Sequence, residues 1–419
     1  SRSGPGTRRR ASSSTITRTD TRSASGIPRD VAPASTREPS APESNSFRLR
    51  ADAPLAWYLA AATNAHASDL HIIAGRPLLL RIATDLVPQT ELMAAEHVER
   101  LCLEMVPERL RPALDRDGAC DFALEHPQHG RFRVNVSRQR TGYKASMRVI
   151  PREMPTLASL GLPQDVAKAA DHHQGLVLVT GPTGHGKTST LAAIVDLINA
   201  GGPEHILTVE DPIEYVHTRK KAMISQREVG SHTKTFFAAL KASLREDPDV
   251  IVIGELRDAE TVRMAVSASE TGHLVLGTMN TPSAAKTVDR LIDLFPPAEQ
   301  AQVRTSVAGA LRLIIGQRLV PSADRKSLHA AVELLPSSIA LYTLIRDGKT
   351  FQIPSLQQRG RAMGVYRLDE SLIELVRAKK VTVESAKAVA ESPQEFEAAL
   401  QRAAAPPAAA APPPQAKKG

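Results

Sequence analysis

Gly181, Gly186, Lys187 and Thr188 stand in the spacing G-x-x-x-x-G-K-[ST], the pattern with which a backbone loop cradles phosphates. A buried-type apolar run, 176–180, precedes it, and a helix-forming stretch, 189–199, follows it. That context sets Gly181, Pro182, Thr183, Gly184, His185, Gly186, Lys187, Thr188 and Ser189 around phosphates at the positive end of a helix. In such a loop Lys187 reaches the β- and γ-phosphates of ATP, and the Thr188 hydroxyl ligates Mg²⁺.

Three further groups of residues could act on a bound nucleotide. The apolar run 250–253 leads through Gly254 to Glu255, which reads as a Walker B strand delivering a carboxylate to polarise the attacking water. Glu210, Asp211 and Glu214 cluster at the end of another apolar run. There Glu210 can orient water while Asp211 and Glu214 hold hydrated Mg²⁺, because strand C-termini converge on the ligand in open α/β sheets; a solvated acidic turn broken by Pro212 is the plain alternative. His273 opens the run 274–278 and reads as a γ-phosphate sensor or as a packing histidine. Arg131, Arg133, Arg138, Arg140 and Arg148 cluster earlier in the chain. The period of a strand puts Arg131 and Arg133 on one face, where they either stabilise phosphoryl charge or form a solvated basic face.

The elements that must position these groups fall into two patterns. A helix over 55–65, strands over 69–73 and 77–82, a helix over 96–106, and strands over 121–124, 130–138 and 143–150 make a small antiparallel α+β domain, 48–151. From residue 156 on, short β-branched runs at 177–180, 206–210, 250–253 and 274–278 alternate with helices, which implies a mainly parallel sheet covered on both faces. The phosphate loop inside that alternation implies a RecA-like core over 152–402, with residues 296–402 expected to be helical, on spacing such as Leu372, Leu375 and Val376, and to form a cap. The fold class is therefore α/β, a RecA-like P-loop NTPase core with an N-terminal α+β domain. Residues 1–47, rich in Ser, Thr and Arg, and the Ala/Pro-rich 403–419 read as disordered tails.

Composition narrows the function classes. Apolar residues make up 42% of the 419 but aromatics only 3%, so aliphatic side chains must fill the cores. The two cysteines, Cys102 and Cys120, form no C-x-x-C pair, which argues against a zinc ribbon or a disulfide framework. No apolar run reaches the ~20 residues of a membrane span, and the Ser/Arg-rich start does not resemble a signal peptide. Of the net charge of +8, most lies at the ends: residues 1–50 hold ten arginines against four acids, and Lys417 and Lys418 add two positive charges. The body is close to neutral, so no nucleic-acid partner is expected.

Taken together, these stretches resemble the type IV pilus retraction ATPases (PilT family) within the type II/IV secretion ATPases. The resemblance is carried by residues 67–72, by the arginine-bearing stretches 130–135 and 147–151, by the acidic box 209–215, by 244–258 around Glu255, by 270–296 around His273, and by 344–354. It implies a homohexameric ring in which ATP is clamped between a PAS-like N-terminal domain and the RecA-like domain. Arg133 and Arg148 are the best matches to the arginines that contact the phosphates on closure. It also implies a cytoplasmic motor, peripheral at the inner face of the inner membrane, that acts on an inner-membrane pilus platform protein, works alongside related pilus ATPases, and withdraws pili in twitching motility.

The relatives that assemble pili or secrete proteins usually carry a tetracysteine zinc site, which two isolated cysteines cannot make, and this favours retraction over assembly or type II secretion. One departure is specific to this chain. Where the family usually has a second histidine, residue 280 is Asn, which can donate a hydrogen bond but cannot titrate. That substitution keeps a weakly active regulatory paralogue in view. His185 and Leu256 also depart from the usual pattern, at positions that supply no required functional group.

Overall fold

The computed structural model describes residues 49–82 and 85–404. The stretch 1–47 and residues 405–419 of the C-terminal Ala/Pro-rich stretch lie outside the described residues.

Six strands form the first sheet: β1 (Asp69–Ile73), β2 (Leu79–Ile82), β3 (Asp85–Pro88), β4 (Ala119–His126), β5 (Gly130–Gln139) and β6 (Gly142–Ile150). They lie in the order β3-β2-β1-β6-β5-β4, and every pairing is antiparallel. Strand periodicity decides which face is which. Phe132, Val134 and Val136 of β5 are buried, while Arg131, Arg133 and Asn135 alternate onto the opposite face. The buried face packs with the helices Leu55–Asn64 and Ala95–Met105 through Tyr58, Leu59, Val98 and Leu101. Both cysteines are free thiols in this core.

Seven strands form the second sheet: β7 (Gly175–Thr180), β8 (His205–Glu210), β9 (Met223–Glu228), β10 (Val250–Ile253), β11 (Leu274–Met279), β12 (Leu311–Pro321) and β13 (Leu328–Pro336). The order is β13-β12-β7-β11-β10-β8-β9. All neighbours are parallel except β12 and β13. β7, β10 and β11 are buried along their whole lengths, as strands covered on both faces must be. Alternate residues feed two cores. Leu176, Leu178, Ile251 and Ile253 enter one; Val177, Val179, Val250 and Val252 enter the other, against Leu191, Ile194, Val195 and Ile198 of the helix Lys187–Gly201.

The expectation of a helical segment from 296 to 402 needs correction. The runs 311–321 and 328–336 are a strand pair that joins the parallel sheet through β12 and ends it with the antiparallel β13. Unbroken apolar stretches such as Leu313, Ile314 and Ile315 suit a strand buried on both faces. The helical spacing at Leu372 does not extend back to them. The later helices Leu368–Arg377, Val383–Lys387 and Pro393–Ala404 do pack over this pair, around Val320, Ala331, Leu372 and Phe396. β3 and β9 are edge strands that sequence periodicity did not reveal.

Candidate active site

Parallel strands carry their C-terminal ends to one edge of the sheet, and four loops leave that edge side by side. The phosphate loop follows β7, the acidic box follows β8, Glu255 follows β10, and Asn280 follows β11. A crevice at the carboxyl ends of the strands is where such sheets bind ligands.

The phosphate loop is braced from β12. Gly181 (φ 147°) runs so close to this strand that a Cβ would lie 2.3 Å from the Gln317 carbonyl oxygen. Gly186 (φ 77°) is left-handed and faces the Gln317 amide, 2.9 Å from where its Cβ would be. Only glycine fits either position without strain. Gln317 is buried; its Nε2 donates to the His185 carbonyl at 2.8 Å and its Oε1 accepts from Thr190 Oγ1 at 2.6 Å. The His185 ring turns toward β12, where Nδ1 accepts from the Leu319 N–H at 2.9 Å. Burial, with Arg318 and Lys187 nearby, holds its pKa below the usual histidine value.

The helix Lys187–Gly201 begins at Gly186 with no side chain capping it. Its first N–H groups have no partner within the helix and are available to an anion. Lys187 is buried and donates from Nζ to the Pro182 carbonyl at 2.9 Å. Burial lowers its pKa, while Glu255 and Glu214 act in the opposite direction.

Glu255 is held by two donors. Asn280 Nδ2 reaches Oε1 at 2.5 Å, and Arg257 Nε reaches Oε2 at 2.7 Å. The strand ends interlock beneath this carboxylate: the Gly254 N–H donates to the Val209 carbonyl, the Leu256 N–H to the Thr278 carbonyl, and Thr278 Oγ1 to the Gly254 carbonyl at 2.6 Å. Asp258 then caps the next helix by accepting from the Thr261 N–H, so Glu255 lies in a short connection, 254–258, between strand and helix.

In the acidic box, Glu210 Oε1 accepts from Thr208 Oγ1 at 2.7 Å and from Gln226 Nε2 at 3.2 Å. Burial nevertheless pushes its pKa up to about 6. Asp211 is exposed and precedes a cis peptide at Pro212. Glu214 lies 3.7 Å from Arg133 of β5, and the Tyr215 hydroxyl shares a 2.8 Å hydrogen bond with Ser189 beside the phosphate loop.

Two expected site residues lie elsewhere. His273 precedes β11, and its carbonyl accepts from Gly175 at the start of β7, which puts it at the opposite edge of the sheet from the phosphate loop. Its Nδ1 faces the Ala268 carbonyl at 2.9 Å, the packing alternative. Arg148 is paired across the ladder with Asp69 and donates to its carboxylate at 3.1 Å. A carboxylate on the adjacent strand competes for the guanidinium, so Arg148 is not brought to the phosphate loop. Gln317 was missed altogether; a buried-type polar residue inside the apolar run 311–320 was its only signal.

A family model described as type II/IV secretion system protein matches residues 55–405. The chain is 42% identical to the type IV pilus retraction ATPase PilT of Pseudomonas aeruginosa over 340 residues, 81% of this chain and 98% of that one. The chain is a PilT-type ATPase of the type II/IV secretion family. A twitching motility protein of Neisseria gonorrhoeae is 43% identical over 302 residues, 72% of this chain and 81% of the relative. The crystal structure of the pilus retraction motor PilT with bound ADP superposes with a TM-score of 0.73 at 40% identity, covering 81% of this chain and 98% of that chain. Nucleotide binding by this PilT-type chain follows from that likeness and from the phosphate loop.

Proposed function

We propose that this chain is an ATP-hydrolysing motor that powers type IV pilus retraction. The observation that carries this reading is its near full-length match to the P. aeruginosa retraction ATPase, 98% of that protein. The RecA-like sheet edge supports it, because three acidic or phosphate-binding loops meet there in one chain.

The residues present suit a magnesium nucleotide. An uncapped helix start beside a braced glycine loop offers main-chain donors to phosphate oxygens. Lys187 can exchange the Pro182 carbonyl for a β- or γ-phosphate oxygen. Thr188 would ligate Mg²⁺, with Asp211 and Glu214 reaching it through water. Among the described residues no three His, Cys, Asp or Glu side chains form a metal cage, and magnesium on a nucleotide uses few protein ligands. A nucleotide held there would supply the scissile phosphoanhydride, and a magnesium ion held by Thr188 would supply positive charge against the phosphate oxygens.

Glu255 is the group to polarise the attacking water, held in orientation by Asn280 and Arg257. Glu210, with its raised pKa, is placed to orient water from the neighbouring strand end. Arg133, from the first sheet, reaches toward the site by way of Glu214 and is the arginine placed to add positive charge on closure. Arg148 would have to leave Asp69 to do so.

A homohexamer acting on an inner-membrane platform protein completes the reading. Among the described residues no helix is long and apolar enough to cross a membrane, so attachment at the inner face would come through that partner.

Deleting the gene in the source organism and counting surface pili tests this. Excess pili with lost twitching supports retraction. A bald cell would mean an assembly motor. Unchanged pili and motility would favour a regulatory paralogue, for which Asn280 was the motive.

A further inference from the structure

Arg131 and Glu228 lie 97 residues apart in the chain, one on β5 of the first sheet and one at the end of β9 in the second. They close around a single residue of the acidic box, Ile213. Arg131 Nε donates to the Ile213 carbonyl at 3.0 Å, Arg131 Nη2 donates to Glu228 Oε2 at 3.0 Å, and the same Oε2 accepts from the Ile213 N–H at 3.2 Å. Ile213 is thus gripped at both of its polar backbone atoms. Glu228 and Ile213 are buried, and charge-assisted bonds are stronger in such surroundings than neutral ones.

The grip extends in both directions. On the far side of Glu228, Oε1 accepts from Ser231 Oγ at 2.7 Å, and Arg109 donates to Ser231 Oγ and to the Gly230 carbonyl, each at 2.8 Å. Along the loop, Ile213 is followed by Glu214, which faces Arg133, and by Tyr215, whose hydroxyl meets Ser189. A continuous run of contacts therefore leads from β5, through the backbone of Ile213, to the residue next to Thr188.

We propose that Arg131 and Glu228 are positioning residues for ATP hydrolysis. Their ion pair fixes the acidic-box loop to the arginine-bearing sheet, so that displacement of that sheet moves Glu214 and Tyr215 relative to the phosphate loop. Arg131 acts through Ile213 rather than on the phosphates, which separates it from Arg133. The proposal rests on the ATPase reading of the site.

The test is steady-state ATP turnover by the full chain, with ADP affinity measured by calorimetry, for wild type, Arg131→Ala, Arg131→Lys, Glu228→Gln and the double variant Arg131→Ala/Glu228→Gln. A positioning role lowers kcat by about 10-fold in Arg131→Ala while KM for ATP and the Kd for ADP stay within about twofold. Arg131→Lys, which keeps the ion pair but loses the second donor to Ile213, recovers part of kcat. The double variant is no slower than the slower single variant, because the two residues act as one unit. Wild-type kcat in folded Arg131→Ala overturns the proposal, as does a KM increase as large as the kcat loss, which would mark a phosphate contact. Should Arg131→Ala fail to fold, wild-type kcat in Arg131→Lys overturns it equally. A wild-type chain with no turnover would overturn the ATPase reading as well, whereas an active wild type with indifferent variants overturns this inference alone.

Discussion

Asn280 Nδ2 sits 2.5 Å from Glu255 Oε1, so the asparagine at the position where the resemblance implies a second histidine touches the carboxylate proposed to activate water. The amide nitrogen must face this carboxylate, since its oxygen would repel it. Asn280 can therefore orient Glu255 as a neutral donor at any pH at which the protein is folded.

Removing that donor has a defined consequence. Asn280→Ala should lower kcat by about 10-fold, the scale of a misoriented catalytic group, with little change in KM. Asn280→Asp should be slower still, because it sets a like charge against Glu255. Asn280→His should stay active and acquire a new pH dependence near the ordinary histidine value of about 6.5. Steady-state ATP turnover against pH checks all three.

Gln317 makes a second, independent prediction. Replacing it with Ala strands Thr190 Oγ1 and the His185 carbonyl. Loss of a buried two-bond brace should cost about 1–3 kcal/mol of stability, measured by denaturant unfolding, and weaken nucleotide binding because the phosphate loop loses its support.

His185 ties stability to pH from the acid side. Its folded pKa is depressed, chiefly by burial, and its Nδ1 must remain an acceptor for the Leu319 N–H. The stability it contributes is present above the unfolded value of about 6.5 and is lost as pH falls through the lower folded value. Other histidines share this limb, His217 being pushed down to about 4 by burial. The difference between wild type and His185→Ala, followed by chemical denaturation as pH falls below the unfolded histidine value of about 6.5, isolates its share.

Glu333 acts with the opposite sign. It is buried on β13, accepts from the Ala284 N–H at 3.0 Å and from Gln357 Nε2, and burial raises its pKa to about 7. The folded state holds its proton where the unfolded state has lost it, so stability falls as pH rises from the ordinary value of about 4.5 to about 7, by up to about 1.4 kcal/mol per pH unit. Glu333→Gln should fold and should flatten that slope in unfolding measurements.

Contiguous signals were readable and distant ones were not. The phosphate loop, the strand before Glu255 and the acidic box each lie within one short stretch, where residue type and strand–helix context decide the structure locally. The parallel core followed from the same alternation. The β12–β13 pair was read as helix because an apolar run buried on both faces has no period to distinguish it. The sequence leaves His273 open as phosphate sensor or packing histidine, because closeness to Glu255 in sequence does not show that a strand's length separates them in space. Gln317 reaches Thr190 across 127 residues, and Arg131 reaches Glu228 across 97. Contacts of that kind depend on how the elements pack, which no local pattern encodes.

ATP turnover by the purified full chain in Mg²⁺, wild type against Glu255→Gln, tests the central claim most directly. The account predicts a loss of at least about 100-fold in kcat, the scale of a removed general base, with ADP affinity retained, while Lys187→Ala loses both turnover and nucleotide binding. Turnover at the wild-type rate in Glu255→Gln would contradict the assignment of the site.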